Sequence, residues 1–94
     1  MRIRTFRHKG LRRLYEDNDR RRIPSALVIR VVDIMAIIEA APNASRIATF
    51  PGLRLHRLKG DLADFWSVSI SGNWRIIFRI EAGEIFDIDL LDYH

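Results

Sequence analysis

The sequence predicts an α+β fold in which two helices from the N-terminal half pack on one face of an antiparallel sheet. Three observations lead to this prediction. Apolar residues recur at helical spacing up to Ala41, they alternate with polar residues from Leu53 onward, and short glycine-containing turns separate the last strands. The 94 residues leave room for a single domain, residues 1–94, with one hydrophobic core.

The N-terminal segment is predicted to contain an edge strand and a short helix. Arg2–Phe6 alternates polar and apolar residues, as a half-buried strand does. Lys9–Asp17 carries apolar residues at helical spacing, which predicts a helix of about two turns. A basic loop that includes Arg20–Arg22 follows this helix.

The longest helix is predicted between Pro24, which favours a first helical turn, and Pro42, which stops the helix. One apolar stripe runs along it, formed by Leu27, Val31, Ile34, Met35 and Ile38. Further apolar residues widen this stripe beyond what one sheet can cover, namely Val28, Ile29, Val32 and Ile37. The excess indicates either a second partner surface or a helix packed deep in the core, and the sequence leaves both open.

The C-terminal half is predicted to form four strands: Leu53–Leu58, Phe65–Ile70, Trp74–Ile80 and Ile85–Leu91. Ser71–Asn73 and Glu81–Gly83 are short turns, so the last three strands should form an antiparallel meander. Alternation along these strands sets one face toward the core and leaves the other polar and cationic. We expect the chemistry of the protein on that polar face.

The charge of the chain is unevenly distributed. Lys and Arg number 16 against 12 Asp and Glu, which gives a net charge of +4 and a pI near 10.3. Nine of the cations lie between Arg2 and Arg22, whereas residues 81–94 hold five acids and no Lys or Arg. An anionic partner is expected, and the predominance of arginine favours nucleic acid over the alternative of a solvated basic surface.

Composition excludes several classes of protein. Because the chain has no cysteine, it has no disulfide, no thiolate nucleophile and no cysteine-ligated zinc. The arginine-rich N-terminus has no apolar signal-peptide region, and the longest apolar run, Ile34–Ile38, is far shorter than the roughly 20 residues of a membrane span. We therefore expect a cytoplasmic protein that does not associate with membranes.

Six side chains of the polar face and the chain end are the candidate catalytic group: His56, Lys59, Arg75, Asp92, Tyr93 and His94. RNA cleavage needs a base for the ribose 2'-OH, an acid for the departing 5' oxygen and cations around the phosphate. Histidine suits both proton transfers, since its ordinary pKa is about 6.5. Asp92 favours the protonated form of His94, so His94 is expected to be the acid and His56 the base.

Each candidate also has a purely structural interpretation. A single histidine on a strand is commonly a surface or hydrogen-bonded residue, and Tyr93 could seal the edge of the core. Arg75 could form a salt bridge with Asp87 or Asp89. The histidines and Asp92 are also metal-ligating residue types, but no ligand spacing marks a site, so neither a metal nor another cofactor is expected.

Several blocks of the sequence resemble the HigB toxins of type II toxin-antitoxin pairs, within the RelE superfamily. These blocks are Phe6–Leu11, Leu55–Gly60, Phe65–Val68, Gly72–Ile76 and Asp92–His94. The likeness covers essentially the whole chain, with matching element order. It implies the compact RelE-like fold, cleavage of mRNA in the ribosomal A site, and restraint by a cognate HigA-like antitoxin.

Carried over by motif, the resemblance places the family's site on the same six residues chosen above for their chemistry. It implies that Tyr93 contacts or stacks on the mRNA and that Asp92 orients its neighbours. Further RNA-binding cations are expected at Arg54, Arg57 and Arg79. Attack by the substrate's own 2'-OH would give a 2',3'-cyclic phosphate and a 5'-hydroxyl without a metal.

The chain departs from the expected family pattern at two places. Residue 57 is arginine where a proline is expected in a relative, and Arg20–Arg22 is unusually basic. Both bear on ribosome affinity or codon preference. Two other functions stay open at this point: a non-catalytic nucleic-acid or ribosome-binding module, and a protein whose main role is to bind its antitoxin so that the complex represses an operon through operator DNA.

Overall fold

The computed structural model describes residues 1–92. Its helices are α1 (Lys9–Asp17), α2 (Val28–Ala40) and α3 (Ala44–Ile47), and its strands are β1 (His56–Arg57), β2 (Trp66–Ser71), β3 (Trp74–Glu81) and β4 (Glu84–Asp92). Three short 3-10 turns, Ser25–Leu27, Pro51–Leu53 and Gly60–Leu62, connect them. The strands form one antiparallel sheet in the order β1-β2-β3-β4, which confirms the predicted α+β fold.

Helix α1 has the predicted bounds, and local chemistry explains both ends. The His8 side chain accepts a hydrogen bond from the backbone N of Leu11 at 3.1 Å and so caps the N-terminus. Asn18 ends the helix in the left-handed conformation, with φ 55°. Gly10 is required by close packing, because a Cβ there would lie 2.8 Å from the His8 ring and 2.9 Å from Arg22 Cβ.

Helix α2 divides the apolar residues of the long predicted stripe between core and surface. Its buried residues are Val28, Val31, Ile34, Met35 and Ile38. Ile29 and Val32 are 74% and 40% exposed, so these two members of the apolar excess lie at the surface. The ammonium group of Met1 donates hydrogen bonds to the carbonyl oxygens of Ile38, Glu39 and Ala41 at the end of the helix, where the helix dipole favours a cation.

The predicted strand Arg2–Phe6 is reduced to two isolated parallel bridges to β4, Ile3 to Ile85 and Phe6 to Ile88. The interruption coincides with a bulge in β4. Asp87 adopts a left-handed φ of 56°, and its backbone N donates to Thr5 Oγ1 at 2.8 Å instead of to a carbonyl. The N-terminal segment therefore covers the β4 edge without a continuous ladder.

The predicted strand Leu53–Leu58 is wrong for most of its length. Pro51 begins a 3-10 turn that ends at Leu53, and Arg54 follows in the left-handed conformation with φ 49°. Only His56 and Arg57 pair with β2. Buried and exposed residues do alternate here as the sequence indicates, since Leu53 is buried and Arg54 is exposed. A turn, however, and not a strand produces this alternation.

The buried residues of the helices and of one sheet face form a single hydrophobic cluster. On the sheet side this cluster includes Val68, Ile76, Phe78 and Leu90. The helices therefore cover one face of the sheet, as predicted, and the opposite face is left open. Within residues 1–92, none of the helices has the length and apolar character of a membrane span.

Candidate active site

The open face of the sheet carries a small cleft between β1 and β3. His56, Ser67 and Ile77 are cross-strand neighbours in one row of the sheet, and Ser69, Arg75 and Leu91 are neighbours in the next row. The cleft has a volume of about 80 Å³ and is lined by His56, Leu58, Ser67, Arg75, Ile77 and Leu91. The structure thus brings His56 and Arg75 together, two of the six side chains selected from the sequence.

The central strand β2 keeps the cleft open because it presents small side chains there. Alternation along β2 places Ser67 and Ser69 on the open face and Val68 in the core, and the pairing with β3 becomes irregular after Ser69. Ser67 lies directly across from His56 and is only 1% exposed. A larger residue at this position would fill the space between the imidazole and the guanidinium.

A backbone hydrogen bond sets the orientation of the His56 ring. Its Nδ1 lies 3.0 Å from the carbonyl oxygen of Arg54. Because a carbonyl oxygen only accepts, Nδ1 carries the proton of this bond, and Nε2 of the neutral ring is left with its lone pair. The left-handed turn at Arg54 supplies the carbonyl, so the turn that replaces the predicted strand also orients the histidine.

Arg75 is held at the start of β3 by backbone carbonyl oxygens. Its Nη1 donates to Gly72 O at 3.0 Å and to Trp74 O at 3.1 Å. Within residues 1–92, its Nε and Nη2 groups form no hydrogen bond, so they can donate to an anion in the cleft. The alternative salt bridge of Arg75 with Asp87 or Asp89 does not form.

Lys59 lies at the mouth of the cleft rather than in it. It lines a shallow depression of about 260 Å³ with His56, Arg57 and Leu58. The chain turns directly after it, at Gly60, with a φ of +67° that favours glycine. Lys59 is exposed, so its ammonium group can reach a phosphate that extends past His56.

The three predicted RNA-binding arginines lie in different surroundings. Arg54 is exposed at the turn before β1. Arg57 is opposite Trp66 in the β1–β2 pairing, and its guanidinium lies 5.0 Å from the Trp66 ring and donates to Ala63 O at 2.9 Å. Its contacts therefore anchor β1.

Arg79 is occupied by acidic neighbours at the far end of β3. Its Nε lies 2.9 Å from Asp87 Oδ2, and its Nη1 lies 3.1 Å from Glu81 Oε2. The guanidinium also packs 5.6 Å from the Phe86 ring. Hydrogen bonds to Asp87 and then Glu81 raise the pKa of Arg79 above its ordinary value. The structure does not bring Arg79 into the cleft with Arg75.

The chain end is described only as far as Asp92. This residue is exposed and pairs with Trp74, one position beyond the cleft residue Leu91. Because successive side chains of a strand alternate between the two faces, the side chain of Asp92 leaves the strand on the face opposite to the cleft. Tyr93 and His94 lie outside the described residues. Within residues 1–92, no group of three or more His, Asp or Glu side chains is arranged to hold a metal ion.

The uncharged residues that line the cleft were not predicted from the sequence. Ser67, Leu58, Ile77 and Leu91 were not selected, because none of them carries an obvious chemical function. A signal was present in the stretch from Trp66 to Ser71, where every second residue is serine. Alternating small polar residues on a central strand indicate a face that must leave space above the sheet.

Two solved structures with a similar fold are a toxin and a chain of a toxin-antitoxin complex. The chain is similar to the YoeB/ParE toxin from Agrobacterium tumefaciens, with a TM-score of 0.54, 18% identity, and coverage of 100% of this chain and 99% of that one. It is also similar to a chain of the RelBE2 toxin-antitoxin complex from Mycobacterium tuberculosis, with a TM-score of 0.53, 16% identity, and coverage of 99% and 96%. At these identities the likeness concerns the fold alone.

Sequence relatives narrow this class to one family. The chain is 34% identical over 92 residues to a protein named Endoribonuclease HigB from Proteus vulgaris, which covers 98% of this chain and 99% of the relative. It is 33% identical over 75 residues to Toxin HigB-1 from Vibrio cholerae, with 79% of each chain covered. A family model described as the RelE-like toxin HigB of type II toxin-antitoxin systems matches residues 4–94. The chain therefore belongs to the HigB-like toxin family.

Proposed function

We propose that this chain is an endoribonuclease toxin that cuts mRNA in the ribosomal A site and so stops translation. The observation that carries the proposal is the cleft on the open face, where the oriented imidazole of His56 and the guanidinium of Arg75 share one small space. A base and a phosphate-binding cation are what cleavage by a ribose 2'-OH requires. The name of the Proteus vulgaris relative, an endoribonuclease, supports the same activity.

His56 is the proposed base of the reaction. Its Nε2 takes the proton of the ribose 2'-OH while the 2' oxygen forms a bond to phosphorus. The bond from phosphorus to the 5' oxygen then breaks, and that oxygen takes a proton from an acid, for which His94 is the candidate on sequence grounds. The products are a 2',3'-cyclic phosphate and a 5'-hydroxyl. Because the attacking hydroxyl belongs to the substrate, no metal-bound water is needed.

Arg75 and Lys59 are the proposed phosphate ligands. The unpaired N–H groups of Arg75 can donate to the non-bridging oxygens, whose charge grows as the 2' oxygen attacks. Lys59 at the cleft mouth supplies a second cation to the same phosphate or to its neighbour along the strand. Tyr93 is the candidate for stacking on a base, and Asp92 for orienting the chain end.

Arg54, Arg57 and Arg79 are the proposed outer RNA contacts. Arg54 and Arg57 are exposed beside His56, where a mRNA strand leaving the cleft would pass. Arg79 first has to exchange its bonds to Asp87 and Glu81 for bonds to phosphate. We therefore rank it last among the predicted RNA-binding residues.

The proposed partners follow from membership of a toxin-antitoxin family. A HigA-like antitoxin would restrain the toxin, and the toxin-antitoxin complex would bind operator DNA through the antitoxin. The proposed place of action is the cytoplasm, where the translating ribosome supplies the mRNA. The net charge of +4 favours association with a ribosome, whose surface is rich in phosphate.

Primer extension on a defined mRNA, with and without ribosomes, tests the proposal. We expect ribosome-dependent cuts by the wild type, and we expect His56→Ala to lower the cleavage rate by about 100-fold or more, because a positioned base contributes about that factor. Arg75→Ala should cause a similar loss, whereas the exposed helix residue Arg12, changed to Ala, should stay within about twofold of wild type.

Circular dichroism shows whether each variant is folded, so that loss of the fold is not mistaken for loss of chemistry. Cleavage by His56→Ala at the wild-type rate would remove His56 from the mechanism. If the folded wild type binds ribosomes and never cuts, the chain is a binding module with a toxin fold.

A further inference from the structure

The outward side of helix α2 carries an apolar stripe without a partner in residues 1–92. Ile29, Val32, Ala36 and Ala40 recur at intervals of three or four residues and are all exposed. Ile29 has 74% of its surface exposed, which is unusual for an isoleucine in a small domain. The stripe extends along about 17 Å of helix, at 1.5 Å per residue.

A groove lies beside this stripe, between α2 and the segment that contains α3. One cavity of about 410 Å³ is lined by Ala36, Ile37, Ala40, Ala41, Pro42, Arg46 and Phe50. A second cavity of about 140 Å³ continues it past Ile37 and Phe50 toward Gly52. The alanines make the groove wide at α2, and Phe50, 41% exposed, forms its opposite wall.

Two arginines mark the ends of this groove. Arg46 lines the larger cavity and Arg30 lines the smaller one. Neither guanidinium forms an ion pair within residues 1–92. The carboxylates of α2 form no ion pair with either arginine within residues 1–92, and Glu39 accepts a hydrogen bond from Tyr15 on the α1 side. The groove is therefore apolar along its length and cationic at both ends.

This groove and the cleft lie on opposite sides of the molecule. Helix α2 packs on the core face of the sheet through Val31, Ile34 and Ile38, so its outward side points away from the sheet. The cleft with His56 and Arg75 opens on the other face. A partner seated in the groove would leave the cleft uncovered, so it would restrain cleavage by its bulk, which would keep the toxin out of the ribosomal A site, and not by filling the cleft.

We propose that the groove bounded by α2, Arg30, Arg46 and Phe50 is the docking site for an amphipathic helix of the antitoxin, with acidic residues at its two ends. Charge complementarity argues for this occupant, because Arg30 and Arg46 give the groove positive charge and neither forms an ion pair within residues 1–92, although Arg30 Nε donates to Ile70 O at 3.3 Å. A helix fits the site since an apolar groove of about three helical turns accepts side chains at helical spacing. The proposal rests on the antitoxin that the proposed function includes.

The test measures the affinity of the toxin for the purified product of the gene that adjoins its own, by isothermal titration calorimetry. Ala40→Glu places a carboxylate in the apolar groove, and Arg46→Glu reverses one of its terminal charges. Each should raise the Kd by about tenfold or more, because a desolvated or like charge faces the partner. Both positions are exposed, so the toxin should keep its fold.

Two matched variants outside the groove serve as controls. Ala63→Glu changes another exposed alanine, and Lys59→Glu reverses another exposed cation, at the mouth of the cleft. Both should leave the Kd within about twofold of wild type. His56→Ala should also keep wild-type affinity, which separates failure of the docking proposal from failure of the proposed cleavage.

Several outcomes would overturn the proposal. Weaker binding by Lys59→Glu and His56→Ala with normal binding by the groove variants would place the antitoxin over the cleft. Unchanged binding by all four variants, or no complex with the adjacent gene product, would show that the antitoxin does not dock in the groove. If the toxin alone dimerises by light scattering and Ala40→Glu makes it monomeric, the groove holds a second copy of this chain.

Discussion

On its open face the sheet presents a shallow cleft with an imidazole and a guanidinium, whereas the helix α2 on the other side presents alanine, isoleucine and valine to solvent. The first surface has the chemistry of phosphate recognition and proton transfer. The second has the composition of a protein interface. The sheet separates the two surfaces, so a domain of this size has room for both proposed partners, and the two surfaces share one buried core.

The largest predicted effect is the loss of stability caused by Phe78→Ala, which should affect both surfaces at once. Phe78 is fully buried on β3, one residue from the open-face residue Ile77. Its removal leaves a cavity and should lower the free energy of unfolding by about 3–5 kcal/mol. Urea unfolding followed by tryptophan fluorescence measures this. A loss below about 1 kcal/mol would contradict a core shared by the two surfaces.

Arg75 and Arg79 of the open face differ in their neighbours, and their variants should therefore differ in cleavage. Both arginines are on β3, but acidic neighbours hold only Arg79. We expect Arg79→Ala to lower cleavage far less than Arg75→Ala does, and to lower the free energy of unfolding only slightly, since its ion pairs are partly exposed to solvent. Primer extension and urea unfolding of the two variants measure these effects. Equal losses of cleavage would show that Arg79 also reaches the RNA.

The smallest predicted effect concerns the contact between α1 and α2. The Tyr15 hydroxyl donates a hydrogen bond to the Glu39 carboxylate, and this bond, with burial and the charge of Glu39, raises the pKa of Tyr15. A raised folded-state pKa stabilises the fold below pH about 10, the unfolded value, and this contribution is lost as the pH rises through the folded value.

Tyr15→Phe should therefore flatten the fall in stability on the alkaline side while changing stability only slightly at neutral pH. Thermal unfolding of wild type and variant between neutral and alkaline pH tests this. An unchanged alkaline slope in the variant would show that the Tyr15–Glu39 bond does not contribute. Tyr15 lines neither the groove nor the cleft, so the variant should keep both proposed partners.

Regular patterns in the sequence were enough to predict α1, α2, the β2–β4 meander and the face that carries Arg75. The same patterns did not predict the turn before β1. A residue in the left-handed conformation, such as Arg54, interrupts the strand but leaves buried and exposed residues alternating. The bulge at Asp87 was likewise invisible, since the aspartate adopts its positive φ in the context of Thr5, which is 82 residues away.

The candidate site was predictable where a side chain has its own chemistry and unpredictable where its role depends on neighbours. His56 and Arg75 could be selected by residue type, but the bond from His56 Nδ1 to Arg54 O depends on the turn. Arg79 has the same charge and strand as Arg75, and only the position of Asp87 distinguishes them. The part of the site assigned to Tyr93 and His94 stays a prediction from the sequence.

The most direct test of the separation between the two surfaces is the cleavage of ribosome-bound mRNA by Ala40→Glu, measured with and without the antitoxin. We expect this variant to cut at the wild-type rate, and we expect an antitoxin concentration that restrains the wild type to leave the variant active. Restraint equal to that of the wild type would place the antitoxin elsewhere. Loss of cleavage by the folded variant would contradict the independence of the two faces.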